Sequence, residues 1–243
     1  MNESTAVSNS ATGNLSARFW PVVVSGAPAE NLYYCMPEIE TAEGDYKSGD
    51  EVLLAGSTER ILDQARLTST ISEVLIHVGK FLTKHSAGGK SITAIVPLNV
   101  VGLGLDSFAN AFAENCRSIQ RQSGGQLVFE LFNFPEKFNL EYLDNLSITV
   151  FPFCRHYVAR PSPGWTDFTI FSNCNFQGVA FDLMDKDWPA DRIKPHLKTF
   201  CAAAAAGRLD AYAHGIGSEI ILDAARRAGF KYLVGSGVQG AIT

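Results

Sequence analysis

From residue 91 to its end the chain alternates short apolar runs with segments of helical period, and this alternation constrains the fold more than any other feature. SITAIVPL (91–98), QLVFELF (126–132), ITVFPF (148–153), GVAFDLM (178–184), LDAYAHG (209–215) and KYLVGSG (231–237) read as buried strands. Between them the spacing predicts helices over 106–121, 139–146, 190–207 and 218–229, the last with a Gly stop, and a helix or irregular connection over 165–171. Strands separated by helices pair in parallel through right-handed crossovers. Upstream, FWPVVV (19–24) and NLYYCMPEI (31–39) flank SGAPAE and predict a hairpin, and apolar residues recur at helical spacing from Ser57 to Lys84, in two pieces. About seven or eight strands in this length make an α/β, TIM-like barrel the expected fold, with its ligand site at the carboxyl ends of the strands.

Composition narrows the partners. With 243 residues, 46% of them hydrophobic, the chain can bury one large core. A net charge of −5 provides no basic field for nucleic acid or anionic lipid. No run reaches the 18 apolar residues of a membrane span, and the polar start MNESTAVSNSATGN lacks the regions of a signal peptide, so a cytoplasmic protein is expected. Residues 1–17 read as a flexible tail or linker and 18–243 as one barrel domain. Cys35, Cys116, Cys154, Cys174 and Cys201 lack metal-ligand spacing and read as reduced core thiols.

The motifs carry little chemistry. GSGVQG (235–240) fits GxGxxG, but the chain ends before a helix could follow, and SAGGKS (86–91) leads into a strand rather than a helix. Most strand ends lack carboxylates. Glu130 in LVFEL reads equally as a functional group or a remnant, since a buried carboxylate needs a partner. His214 reads as a hydrogen-bonded histidine at the barrel mouth, and Asp182 with Asp185 as a strand-end pair or as loop acids. RHYVARPSPGW (155–165) reads as a loop, in which Arg155 and Arg160 could meet an anion.

From Phe19 onward the order of segments resembles the EAL domain, the cyclic-di-GMP (c-di-GMP) phosphodiesterase module of bacterial signalling. AYAHGIGSEIILDAARRAGFKYLVGSGV is similar to the family's AEGVET strand end, following helix and QGY strand, LVFEL to its LEiTE, and VAFDL to its lKiD. The resemblance implies a TIM-like (β/α)8 barrel with one antiparallel strand, and in the family a hydrolysis by Mg²⁺- or Mn²⁺-bound water. Carried over position by position, the signature Glu falls on Cys35, the metal-binding Asn on Pro97, the Asp pair on Phe151 and Pro152, the Lys on Ala180, the two Glu of AEGVET on His214 and Gly217, and the Gln on Val234. Asp182 and Glu130 are kept, and Glu130 alone survives among the usual metal ligands.

One carboxylate cannot hold two divalent ions. The expectation is therefore a non-enzymatic EAL-like domain without a metal or other cofactor, acting as a regulatory or protein-interaction module with another protein as partner. The alternative is a c-di-GMP receptor that does not hydrolyse, with ligand contacts among Glu130, Arg155, Arg160, Asp182 and His214. A residual phosphodiesterase ranks third. Pairing of such barrels through their helices makes a homodimer the expectation from the resemblance.

Overall fold

The computed structural model describes residues 14–24, 27–41, 44–55, 57–58, 61–86, 89–154, 156–186 and 188–242. A long hairpin, β1 (Leu15–Val24) and β2 (Ala27–Glu40), is followed by the short strand β3 (Tyr46–Ser48), helix α1 (Asp50–Leu53) and a ribbon of β4 (Ser57–Thr58) with β5 (Ile61–Leu62). Then come α2 (Gln64–His85), β6 (Thr93–Asn99), α3 (Val100–Leu103), α4 (Asp106–Gln122), β7 (Gln126–Phe132), α5 (Leu140–Val150), β8 (Tyr157–Arg160) and α6 (Thr169–Asn173). The chain closes with β9 (Gly178–Asp182), α7 (Ala190–Ala206), β10 (Asp210–His214), α8 (Glu219–Ala228) and β11 (Tyr232–Leu233).

Strands β2, β6, β7, β8, β9, β10 and β11 pair in parallel in that order. Strand β1 closes the ring, antiparallel to both β11 and β2, and β3 adds to the outer edge of β2. The expected TIM-like (β/α)8 barrel with one antiparallel strand is the observed architecture. Side chains alternate between its two surfaces. Val22, Tyr34, Ile95 and Val234, with Trp20, Met36 and Tyr212 against them, fill the interior. Their chain neighbours, including Phe19, Cys35, Ala94, Val96 and Leu233, pack outward under the helices.

Four local expectations are corrected. ITVFPF is not a strand: residues 148–150 complete α5, whose Leu143, Leu146 and Val150 face the core at helical spacing. The strand lies instead in YVAR, read from sequence as loop, whose four residues are all buried. The helical pattern from Ser57 begins only at Gln64, where the Asp63 side chain accepts from the Arg66 N–H and caps α2, and residues 57–58 pair with 61–62 as the β4–β5 ribbon. Strand β1 takes in Leu15, Ser16 and Ala17 from the expected tail of residues 1–17, because they pair with Ile39, Glu38 and Pro37.

Strand β9 opens on a residue without a side chain because the ring of Tyr212 crosses over it. A Cβ at Gly178 would overlap that ring and come within 2.6 Å of the Asp210 carbonyl oxygen. The Gly178→Ala variant is expected to lose about 1–3 kcal/mol, read from its urea midpoint. A wild-type midpoint would show that the strands there can separate.

Candidate functional site at the barrel mouth

Consecutive strands deliver one polar side chain each to the carboxyl end of the barrel. Glu130 on β7, Arg160 at the end of β8, and His214 at the end of β10 are 1%, 7% and 3% exposed. Arg160 is the hub. Its Nε lies 3.0 Å from Glu130 Oε1, its Nη1 2.9 Å from Asp182 Oδ2 at the end of β9, and its Nη1 and Nη2 2.8 and 2.6 Å from the two oxygens of Asp50 on α1. The guanidinium also lies over the Phe132 ring, 4.3 Å from its centroid. His214 bridges the same carboxylates, with Nε2 3.1 Å from Glu130 Oε2 and Nδ1 3.3 Å from Asp182 Oδ1. The Tyr34 hydroxyl donates to Glu130 Oε1 at 3.1 Å, and its ring stacks on His214. Two of these contacts, Arg160 Nε and His214 Nε2 with Glu130, are ion pairs by distance whose N–H bonds are not aligned as hydrogen bonds.

Both imidazole nitrogens face carboxylates, an arrangement that needs a proton on each. Burial alone would discharge His214, but Glu130 and Asp182 outweigh it and raise its pKa to about 10. Burial likewise pushes the acids upward, yet His214 and Arg160 hold both Glu130 and Asp182 below the usual carboxylate range. The cluster is three carboxylates against two cations.

Two cavities flank it. The larger, about 610 Å³, is lined by Trp20, Tyr34, Met36, Glu38 and His214, and the smaller, about 280 Å³, by Phe132, Arg160, Trp165 and Phe181. Asp50, Asp182 and Met184 line both. Arg160 lines the smaller cavity, and His214 the larger.

The structure brings together Glu130, Arg160, Asp182 and His214. Arg155 lies outside the described residues. Phe151 and Pro152 are not at the mouth: they form the turn after α5, at the opposite end of the barrel, with Phe151 63% exposed. The strand end that the family's Asp pair would occupy belongs to Arg160. Cys35 is also displaced, since it packs among the outer helices while Tyr34 and Met36 face inward. Glu38 has the inward parity, lines the larger cavity and pairs with Arg18 at 2.9 Å. Ala180 lines the smaller cavity and Val234 the larger one, both at the mouth.

Pro97 is buried in register with Glu130, but β6 runs two residues further, so its last inward position is Asn99. Asn99 is 3% exposed; its Oδ1 accepts from the Val101 N–H and from Asn133 Nδ2, and its Nδ2 donates to the Leu53 carbonyl. An Asn at a strand end just before an apolar turn is a helix-cap pattern and was legible as such. Tyr34 and Asp50 had no comparable pattern. Asn99→Ala is expected to cost about 1–2 kcal/mol in thermal unfolding, since it removes the partner of the buried Leu53 carbonyl and of two part-buried donors, Val101 N–H and Asn133 Nδ2.

The donors do not fit a divalent metal. Glu130 and Asp182 are engaged by Arg160 and His214, and an ion set among them would face two positive side chains. Among the described residues no three His, Cys, Asp or Glu side chains are grouped to share an ion.

A closed barrel with one reversed strand and a polar cluster at the carboxyl ends of its parallel strands has the EAL-type fold. Solved structures agree. The chain is similar to the FimX EAL domain from Pseudomonas aeruginosa bound to c-di-GMP (TM-score 0.66, 15% identity, covering 93% of this chain and 90% of that one). It also resembles the PaMucR phosphodiesterase in its c-di-GMP complex (0.68, 12%, 94% and 96%). A further likeness is to the Bacillus subtilis YkuI protein, which has an EAL domain and was solved with c-di-GMP and calcium (0.68, 13%, 93% and 55%). No family model and no curated protein matches the sequence. No helix among the described residues is long and apolar enough to cross a membrane.

Proposed function

We propose that this chain is a non-hydrolysing EAL-type domain that serves as a regulatory or protein-interaction module in bacterial c-di-GMP signalling. The observation that carries this reading is Arg160, whose guanidinium sits within 2.6–3.0 Å of Asp50, Asp182 and Glu130. Hydrolysis through metal-bound water needs carboxylates free to hold the ion. Here the chain's own cations take them. The c-di-GMP of the similar FimX, PaMucR and YkuI structures sets the signalling context. The runner-up reading, a receptor that binds c-di-GMP without cutting it, draws on the two cavities that share Asp50, Asp182 and Met184, the smaller of which Arg160 lines.

The test is turnover. Incubated with c-di-GMP and millimolar Mn²⁺ or Mg²⁺, the purified protein is expected to leave the dinucleotide intact by chromatography. Metal-dependent hydrolysis that is lost in Glu130→Gln would sink the proposal.

A further inference from the structure

Of the three carboxylates on Arg160, Asp50 is the odd one. Glu130 and Asp182 are fixed by β7 and β9, whereas Asp50 comes from the four-residue helix α1, and its side chain is 41% exposed. It caps both terminal nitrogens of the guanidinium, at 2.8 and 2.6 Å, in the two-pronged geometry with which arginine also binds phosphate. Gly49 before it has φ +56°, a left-handed turn that fixes how α1 enters.

Without Asp50 the cluster would hold Glu130 and Asp182 against Arg160 and the imidazolium of His214, a balanced set. An anion in place of Asp50 would restore the present charge count and keep the guanidinium satisfied. The room exists beside the guanidinium, since Asp50 borders both cavities and Arg160 lines the smaller one.

We infer that Asp50 is an internal stand-in for an anionic ligand: it closes an oxyanion site on Arg160, and a phosphate-bearing molecule enters by displacing it. This rests on the same mouth as the non-hydrolysing reading but fails separately from it, because it concerns binding and not turnover. Phosphate groups could come from c-di-GMP or from free phosphate, and the two are tested in parallel.

Calorimetric titrations at low ionic strength, with c-di-GMP in one arm and inorganic phosphate in the other, compare the wild type with Asp50→Ala. The variant retains the contacts of Arg160 to Glu130 and Asp182. Its affinity for at least one of the two anions is expected to rise on the order of tenfold. A gain confined to c-di-GMP identifies a nucleotide phosphate; a gain with phosphate alone identifies a general oxyanion site. Glu51→Ala is the control, because Glu51 adjoins Asp50 and also lines the larger cavity, yet makes no ion pair among the described residues. It should leave both affinities unchanged, and Asp50→Ala with Arg160→Lys should lose the gain. The inference is overturned if Asp50→Ala shows no gain in either arm, or if Glu51→Ala gains as much, since the effect would then be general charge and not the uncapping of Arg160.

Discussion

Replacing Arg160 with methionine is expected to lower the unfolding free energy by about 3–5 kcal/mol, the largest loss of any single mouth substitution. The change removes the cation that Glu130, Asp182 and Asp50 share and leaves Glu130, 1% exposed, with His214 as its remaining cationic partner among the described residues and Asp182 as a like charge. A buried ion pair adds little net stability over an apolar substitute, because desolvation offsets much of its attraction; a buried charge stripped of its partner has no such offset. The effect should therefore be non-additive. Arg160→Met combined with Glu130→Gln is expected to recover at least about 1 kcal/mol of the sum of the two single losses. Arg160→Lys should fall between, since one ammonium cannot present the planar fork that reaches three carboxylates. Urea midpoints at neutral pH decide the matter, and a loss below about 1 kcal/mol for Arg160→Met would mean that water already reaches the cluster.

The barrel was legible because its evidence in the sequence is repetitive: each strand-and-helix unit shows the same change of period, so one misread unit leaves the topology intact. The misread unit shows where periodicity runs out. SITVFPF is apolar and β-branched, and over so short a run helix and strand patterns coincide; Leu143, Leu146 and Val150 settle it as helix by packing. The true strand, YVAR, is four residues long and set among Arg, His and Pro, which reads as loop chemistry. That single error moved the site, putting Phe151 and Pro152 at the mouth in place of Arg160.

Cys35 shows the other limit. In a strand, a shift of one residue exchanges the two faces, and the inward parity of β2 is set by its pairing with β1, where a bulge between Pro21 and Val23 shifts the register. Glu130, Asp182 and His214 could be found by motif, being strand ends in sequence. The pairing of Arg160 with Asp50 spans 110 residues, and no local pattern encodes it.

The second large effect is a loss of stability on the alkaline side, caused by His214. Its pKa rises from 6.5 in the unfolded chain to about 10 in the fold, because Glu130 and Asp182 more than offset its burial. A group with a raised folded pKa stabilises fully below its unfolded value and loses that contribution as pH climbs toward the folded value. The loss thus begins near pH 6.5, and over the whole interval it is on the order of 3–5 kcal/mol. Glu130 and Asp182 have lowered folded pKa values, so their contribution is present above the usual carboxylate range and falls away in acid. Stability should peak between about pH 4.5 and 6.5. Above about pH 8 the thiols add a loss of the same sign, because burial pushes Cys154 and Cys201 up to about 12 while the unfolded chain begins to ionise about a unit below its pKa of 9. The interval from about pH 6.5 to 8 therefore isolates the histidine. Urea midpoints across it should fall steadily for the wild type and stay nearly level for His214→Gln, which keeps a polar group but carries no proton to lose. A wild-type curve as level as the variant's would mean that His214 is neutral in the fold, and the balance of three carboxylates against two cations would have to be redrawn with Arg160 as the only positive charge.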